Sequence, residues 1–202
     1  MKTSGVIYTV IFSFLAAFLF VSILAMVNEF TKARVALNQE LATRKAVLAA
    51  CGVSFSSNEE VTRLFNDRME KKNIGNKTLY ILNDPERGTI YAMIFSGKGL
   101  WGTITGVLAV NADVSLIEGV DIISQNETPG LGGKIDEPYF KQQFRQEQIK
   151  GSIIIGPGGP GDTDHTNSRV DGISGASLTS QLFQIIINNS LTQIKTLVRG
   201  LS

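Results

Sequence analysis

Residues 3–28 run for 26 positions without a charged side chain, and 19 of them, from Val6 to Val27, are hydrophobic. As a helix this run measures about 39 Å. A bilayer core of about 30 Å needs roughly 20 apolar residues, so the run spans with some tilt. A cleaved signal peptide is the competing reading, because Met1-Lys2 supplies a short basic start. A signal's apolar region is usually about 7–15 residues and ends at a small-x-small site. Here the run is longer and ends Ile23-Leu24-Ala25-Met26-Val27-Asn28, which favours an uncleaved anchor. With no polar face, it does not read as a core helix of a soluble domain. Orientation is less constrained. Lys2 lies on one side, and Lys32, Arg34, Arg44 and Lys45 lie on the other, mixed with Glu29 and Glu40. Basic residues alone would leave the C-terminal bulk in the cytoplasm, but long domains translocate largely regardless of charge. Composition therefore leaves the side open.

Once the anchor is set aside, the rest has an ordinary soluble composition and is long enough to bury a core. Nineteen Lys and Arg against eighteen Asp and Glu leave a net charge of +1, with no basic excess to suggest nucleic acid. Cys51 is the single cysteine, which excludes an intramolecular disulfide and a cysteine-built zinc or iron–sulfur site. His165 is the single histidine, so a His-rich metal site is equally excluded. The class expected is α+β: a transmembrane anchor over 1–28, then one soluble domain over 29–202 with an antiparallel-rich sheet flanked by helices.

The spacing of apolar residues continues the first helix through residues 29–50 to Gly52, a good helix terminator. A polar amphipathic helix is expected over 59–72. Four β-rich runs follow: 78–82, 89–95, 103–110 and 116–123. The short turns between them, Asn83-Asp84-Pro85, Gly97-Lys98-Gly99 and Asn111-Ala112-Asp113, predict antiparallel hairpins. A short helix over 138–148 puts Tyr139, Phe140 and Phe144 on one face. A strand over 151–155 and a long helix over 177–198 close the chain, the latter with Leu182, Ile185, Ile186, Leu191 and Ile194 inward.

Three glycine loops are the candidates for chemistry. They are Gly97-Lys98-Gly99-Leu100-Trp101-Gly102, Glu127-Thr128-Pro129-Gly130-Leu131-Gly132-Gly133, and the stretch from Asp171 to Ser180 that opens the last helix. Each alone reads more readily as a plain turn. The third places small, hydroxyl-bearing residues at a helix N-terminus, where backbone N–H groups and the helix dipole suit a phosphate. Plain N-capping by Ser177 or Thr179 would need only one hydroxyl. No Gly-Lys-Ser/Thr follows, so this is not a nucleotide-hydrolysing P-loop. Gly172-Ile173-Ser174-Gly175-Ala176 lacks the second spaced glycine of a nucleophile elbow. A hydrolase triad would have to borrow His165 from the polar loop over 161–168, where an exposed histidine is the simpler reading. Gly156-Pro157-Gly158-Gly159-Pro160-Gly161 reads as a stiff connector.

Taken together the loops resemble a known family. Ser174-Gly175-Ala176-Ser177, with Asp171 upstream, resembles the Ser/Thr-Gly-Ala-Thr tetrad of covalent flavin carriers. In that family a flavin transferase esterifies the tetrad's last hydroxyl with the phosphate of FMN. Glu127 to Gly132 matches the family's Glu-Thr-Pro-Gly-Leu-Gly letter for letter. Gly97-Lys98-Gly99-Leu100-Trp101 looks like the C subunit of the sodium-translocating NADH:quinone oxidoreductases more than the G subunit of Rnf complexes. The resemblance covers nearly the whole chain and departs in two places. The acceptor position is Ser177 where Thr is usual, and no lysine stands just before the glycines of 156–160.

The resemblance implies a single-pass electron-transfer subunit of a bacterial inner membrane, carrying one covalent FMN, with its domain on the extracytoplasmic side. Its partners would be the other subunits of a redox complex, the flavin transferase during maturation, and membrane lipid. No independent catalysis, metal or nucleic acid is implied. Ser177 would carry the phosphoester. Leu100, Trp101, Glu127, Thr128, Gly130, Leu131, Gly175, Ala176, Leu178 and Thr179 would contact the cofactor, and Asp171 and Ser174 would support the motif. Trp101 and Leu131 are expected to flank the ring, with Glu127 and Thr128 at its polar edge; the competing reading makes Trp101 a core aromatic. A non-redox assembly protein, whose loops are only turns, is the alternative of a different class.

Overall fold

A computed structural model describes residues 3–201; Met1 and Lys2, the expected basic start, lie outside the described residues. The chain divides into two compact units, Met1–Glu40 and Leu41–Ser202. Helix α1, Thr3–Ala50, supplies the whole of the described first unit and the first element of the second. Its stretch from Val6 to Val27 leaves every large apolar side chain 46–70% exposed, and an 18-residue window reaches a mean hydropathy of 2.8. That is long and apolar enough to cross a membrane.

The second unit is built on a six-stranded antiparallel meander in the order β1-β2-β3-β4-β5-β6. The strands are β1 Met69–Ile74, β2 Lys77–Asp84, β3 Gly88–Lys98, β4 Thr103–Asn111, β5 Leu116–Ser124 and β6 Glu147–Gln148. Both faces of this sheet are covered. Val107 and Ala109 of β4 and Tyr80 and Leu82 of β2 face the end of α1 (Val47, Leu48, Cys51) and helix α2, Asn58–Arg68 (Val61, Phe65). Leu108, Val110, Met93 and Leu79 face helix α3, Pro138–Gln142, and helix α4, Ser177–Arg199. Burial on two sides explains why Val107-Leu108-Ala109-Val110 reads as a continuous apolar run instead of an alternating one. On the α4 face Phe183 meets Phe95, Phe140 and Phe144 at ring-centroid distances of 6.0, 5.6 and 5.9 Å. That cluster fixes the first turns of α4, and hence the third glycine loop, against the sheet.

Five expected elements change. The helix over 59–72 stops at Arg68, and Met69 to Lys72 pair instead with β2, Met69 opposite Leu82. Met-Glu-Lys-Lys has good helix propensity, but the ladder of an edge strand with outward charges outweighs it. The helix over 138–148 ends at Gln142, after which Glu147 and Gln148 join the sheet edge. The strand over 151–155 shifts to β7, Ile154–Gly158, which pairs parallel with β8, Arg169–Gly172. The connector over 156–161 is therefore partly strand, and Gly97 and Lys98 finish β3 instead of turning.

Candidate functional site

The three glycine loops meet. The first is the tip of the β3–β4 hairpin: Lys98 pairs with Thr103, and the Gly99 N–H donates to the Gly102 carbonyl at 2.7 Å. Leu100 and Trp101 stand at that tip, 43% and 71% exposed, so Trp101 is not a core aromatic. The second loop is a tight turn in which the Thr128 carbonyl accepts from the Leu131 and Gly133 N–H groups. Gly130 takes φ +74° there, a conformation that favours glycine, and the turn leaves Leu131 44% exposed. Thr128 and Gly130 flank it in the same turn.

The third loop leaves β8 and opens α4. The Ser180 hydroxyl accepts from the Ile173 N–H at 3.0 Å and donates to the Ala176 carbonyl at 3.0 Å, fixing the loop's curvature. Gly175 has φ +80°, which lets the chain double back, and a Cβ there would lie 3.1 Å from Leu131 Cδ2. The second and third loops are therefore in contact. Ala176 occupies the N-cap position with no side-chain cap, so neither Ser177 nor Thr179 caps the helix. Among the described residues none accepts a bond from the N–H groups of Ser177, Leu178 or Thr179. Ser177 is exposed and Leu178 is 56% exposed beside it. Open N–H groups at the positive end of a 23-residue helix attract an anion, and the Ser177 hydroxyl stands at that end.

Two of the expected cofactor residues also hold each other. Thr179 is 2% exposed and its hydroxyl donates to Glu127 Oε2 at 2.6 Å. Glu127 is 4% exposed, and its Oε1 accepts from the Trp101 backbone N–H at 3.0 Å. Each carboxylate oxygen thus accepts a bond from one of the protein's own donors, which ties both buried side chains to the loops around them. Behind the tetrad, Asp171 Oδ2 accepts from the Gly161 N–H at 3.1 Å. Gly158 packs directly on the Ser174 backbone, where a Cβ would collide.

Sequence reading missed Gln143. This side chain is 4% exposed; its Oε1 accepts from the N–H groups of Asp171 and Asp162, both at 2.8 Å, and its Nε2 donates to the Asp171 carbonyl. It fastens the strand that leads into the tetrad, and nothing local in a polar glutamine signals that. His165 sits in a turn with its side chain 41% exposed and Nδ1 3.6 Å from Glu147 Oε2. Burial pushes the Glu147 carboxyl above the ordinary carboxylate range. These two belong to the sheet edge at β6. No group of three potential ligands capable of holding a metal occurs among the described residues.

The comparisons with known proteins bear on this loop cluster. The family model described as FMN-binding domain matches residues 99–192, a stretch that contains the tip of the first loop and all of the other two. This stretch of the chain is similar to that family's domain. Around it, this chain is similar to the C subunit of the Na(+)-translocating NADH-quinone reductase of Pasteurella multocida, 33% identical over 105 residues. That alignment covers 50% of this chain and 39% of the relative. The corresponding C subunit of Neisseria meningitidis serogroup B is 39% identical over 90 residues, 42% of this chain and 34% of the relative. The chain thus spans well under half the length of these curated relatives. Among solved structures, the C subunit from Parabacteroides distasonis superposes with a TM-score of 0.64 at 26% identity, covering 80% of this chain and 95% of that one. NqrC of Shewanella oneidensis shares the fold, with a TM-score of 0.69 at 19% identity over 82% of this chain and 99% of that one.

The residues of the loop cluster fit an FMN. An FMN needs an anion site for its phosphate and apolar walls for its ring. The uncapped start of α4 offers the first, and the exposed Leu100, Trp101, Leu131 and Leu178 offer the second. Exposed apolar side chains drawn together from three loops mark a binding surface more than a random scatter.

Proposed function

We propose that this chain is a membrane-anchored electron-transfer subunit of a sodium-translocating NADH:quinone oxidoreductase, with FMN attached covalently to Ser177. The observation that carries this reading is the placement of the Ser177 hydroxyl: exposed, at an uncapped helix N-terminus, beside Leu178 and within a loop that touches Leu131. When bound, FMN supplies reversible electron transfer at its ring, and the protein supplies attachment, orientation and tuning. The Ser177 Oγ would hold the phosphate as an ester, and the N–H groups of Ser177, Leu178 and Thr179 would share its negative charge. Leu100, Trp101, Leu131 and Leu178 would shield the ring from water, with Thr128, Gly130, Gly175 and Ala176 forming the adjacent backbone. Asp171 and Ser174 hold the tetrad's approach. Serine in place of the usual threonine keeps the hydroxyl and removes a methyl group. The NADH-quinone reductase setting rests on similarity to the C subunits of those complexes, and the membrane attachment rests on the first turns of α1.

The test is the intact mass of the full chain co-expressed with a flavin transferase. Wild type is expected to carry one FMN phosphoester increment, and Ser177→Ala to lose it while keeping its circular dichroism spectrum. An increment retained in Ser177→Ala would move the ester, with exposed Ser174 the first candidate, since the Thr179 hydroxyl is buried and engaged. A wild-type chain with no increment and no flavin absorbance would favour a non-redox assembly role.

A further inference from the structure

We propose that Glu127 is a positioning residue, a clamp whose buried carboxylate ties the Trp101 hairpin tip to the first turn of α4 and so sets the indole relative to Ser177. This rests on the FMN reading for its purpose, though not for its geometry. One carboxylate reaches two loops at once: Oε1 holds the backbone N–H of Trp101 and Oε2 the hydroxyl of Thr179, two residues beyond Ser177. Its own N–H is held by Gln125 Oε1 at 2.6 Å, so the residue is fixed at both ends. It forms no ion pair among the described residues, and only 4% of it is exposed. Hydrogen-bond donors aimed at it are its compensation, which makes each of them costly to remove.

The glycines of the loops make room for this side chain. A Cβ on Gly99 would lie 2.5 Å from Glu127 Oε1. On Gly132 it would lie 2.6 Å from Thr179 Oγ1 and 3.0 Å from Glu127 Oε2. All three loops therefore close on one carboxylate, and glycine at 99 and 132 is required by that approach whatever the loops bind. Trp101 itself is 71% exposed, and its backbone bond to Glu127 ties the hairpin tip to the second loop.

The experiment uses the full chain in detergent and compares Glu127→Ala, Thr179→Val and Thr179→Ser. Amide hydrogen exchange at Trp101 is read first in the Ser177→Ala background, which needs no flavin. Removing the acceptor of the Trp101 N–H should speed that exchange about tenfold or more in Glu127→Ala. Thr179→Val, which leaves the carboxylate without its second tie, should speed it in the same direction. Thr179→Ser keeps the hydroxyl and should restore the wild-type rate. In the flavinylated chain, Glu127→Ala and Thr179→Val should keep the FMN mass increment but lose part of the flavin's quenching of Trp101 fluorescence. Unchanged exchange in a folded Thr179→Val or Glu127→Ala protein would overturn the clamp. Faster exchange with unaltered quenching would also overturn it, reducing Glu127 to a purely structural tie. If wild type never acquires FMN, the FMN reading fails, and the exchange measurement still decides the clamp. Should Glu127→Ala not fold, Thr179→Val against Thr179→Ser decides alone.

Discussion

At the scale of single residues, the domain separates groups that hold structure from groups left free to react. Cys51 is fully buried, and burial pushes its thiol up to about 12, with Arg87 opposing only partly. A thiol needs its thiolate to react, so a maleimide or disulfide reagent near neutral pH should leave the native chain unlabelled and modify its one cysteine only after denaturation. Rapid labelling of the native chain would contradict that burial. Asp84 shows the opposite displacement. The Arg87 guanidinium at 3.0 Å, then the backbone N–H groups of Arg87 and Glu86, hold its carboxyl down to about 2. A carboxyl depressed in the folded state stabilises above its unfolded pKa of about 3.9 and loses that contribution as pH falls through its folded value. The wild-type melting temperature should therefore drop more steeply than that of Asp84→Asn between about pH 4 and pH 2. Parallel curves for the two proteins would mean that Asp84 does not supply this pH dependence.

At the scale of elements, close backbone approach decides where helices sit on the sheet. Gly119 of β5 lies against the end of α1, and a Cβ there would come 2.6 Å from the Ala50 carbonyl oxygen. Neither partner is a flexible side-chain end, so the helix terminus would have to move. Gly119→Ala is expected to cost about 1–3 kcal/mol in urea unfolding, in the range of overpacked cores. An unaltered urea midpoint would show that α1 shifts freely there. The same terminus is held by Arg145, which donates to the Ala49 carbonyl at 3.1 Å, and the neighbouring Arg87 bonds the buried Glu118 at 3.1 Å. On the opposite face, the Phe183 cluster anchors α4 within two turns of Ser177. The tetrad is thus a run of small residues mounted on a firmly packed helix, a suitable support for an attached group.

At the scale of the whole molecule, the two units call for different solvents. Large apolar side chains from Val6 to Val27 are left unburied, whereas residues from Leu41 onward enclose apolar clusters on both sheet faces. Hydrophobic burial closes a core in the second unit, while the first is long and apolar enough to cross a membrane. A chain beginning at Leu41 should be monodisperse in buffer without detergent, while the full chain should require detergent or bilayer. Aggregation of the shorter chain would show that the second unit does not close its core by itself. Topology is tested separately. With residues 29–202 extracytoplasmic, as the flavin transferase reading requires, C-terminal alkaline phosphatase should be active and a C-terminal fluorescent protein that matures only in the cytoplasm should be dark. The reverse pattern would place the domain in the cytoplasm.

Sequence alone determined the features whose physics is local. A charge-free run of 26 residues is long enough to span a bilayer wherever it packs, and turn residues at short spacing force hairpins. The four central strands and the long last helix followed from periodicity, within a few residues at their ends. The order of three glycine motifs pointed to FMN because motif chemistry is written in residue identity. What the sequence could not carry were choices settled by distant partners. Met69 to Lys72 became strand because β2 offered a ladder, and 143–148 left the helix while Gln143 turned to Asp171 and Glu147 to the sheet edge. Glu127 read as a ligand because it stood in a ligand-like loop. Only the tertiary structure brought Trp101 and Thr179, 26 residues before it and 52 after, onto its two oxygens. A carboxylate's neighbours are set by the fold, and its partners decide whether it faces a cofactor or holds the walls around one.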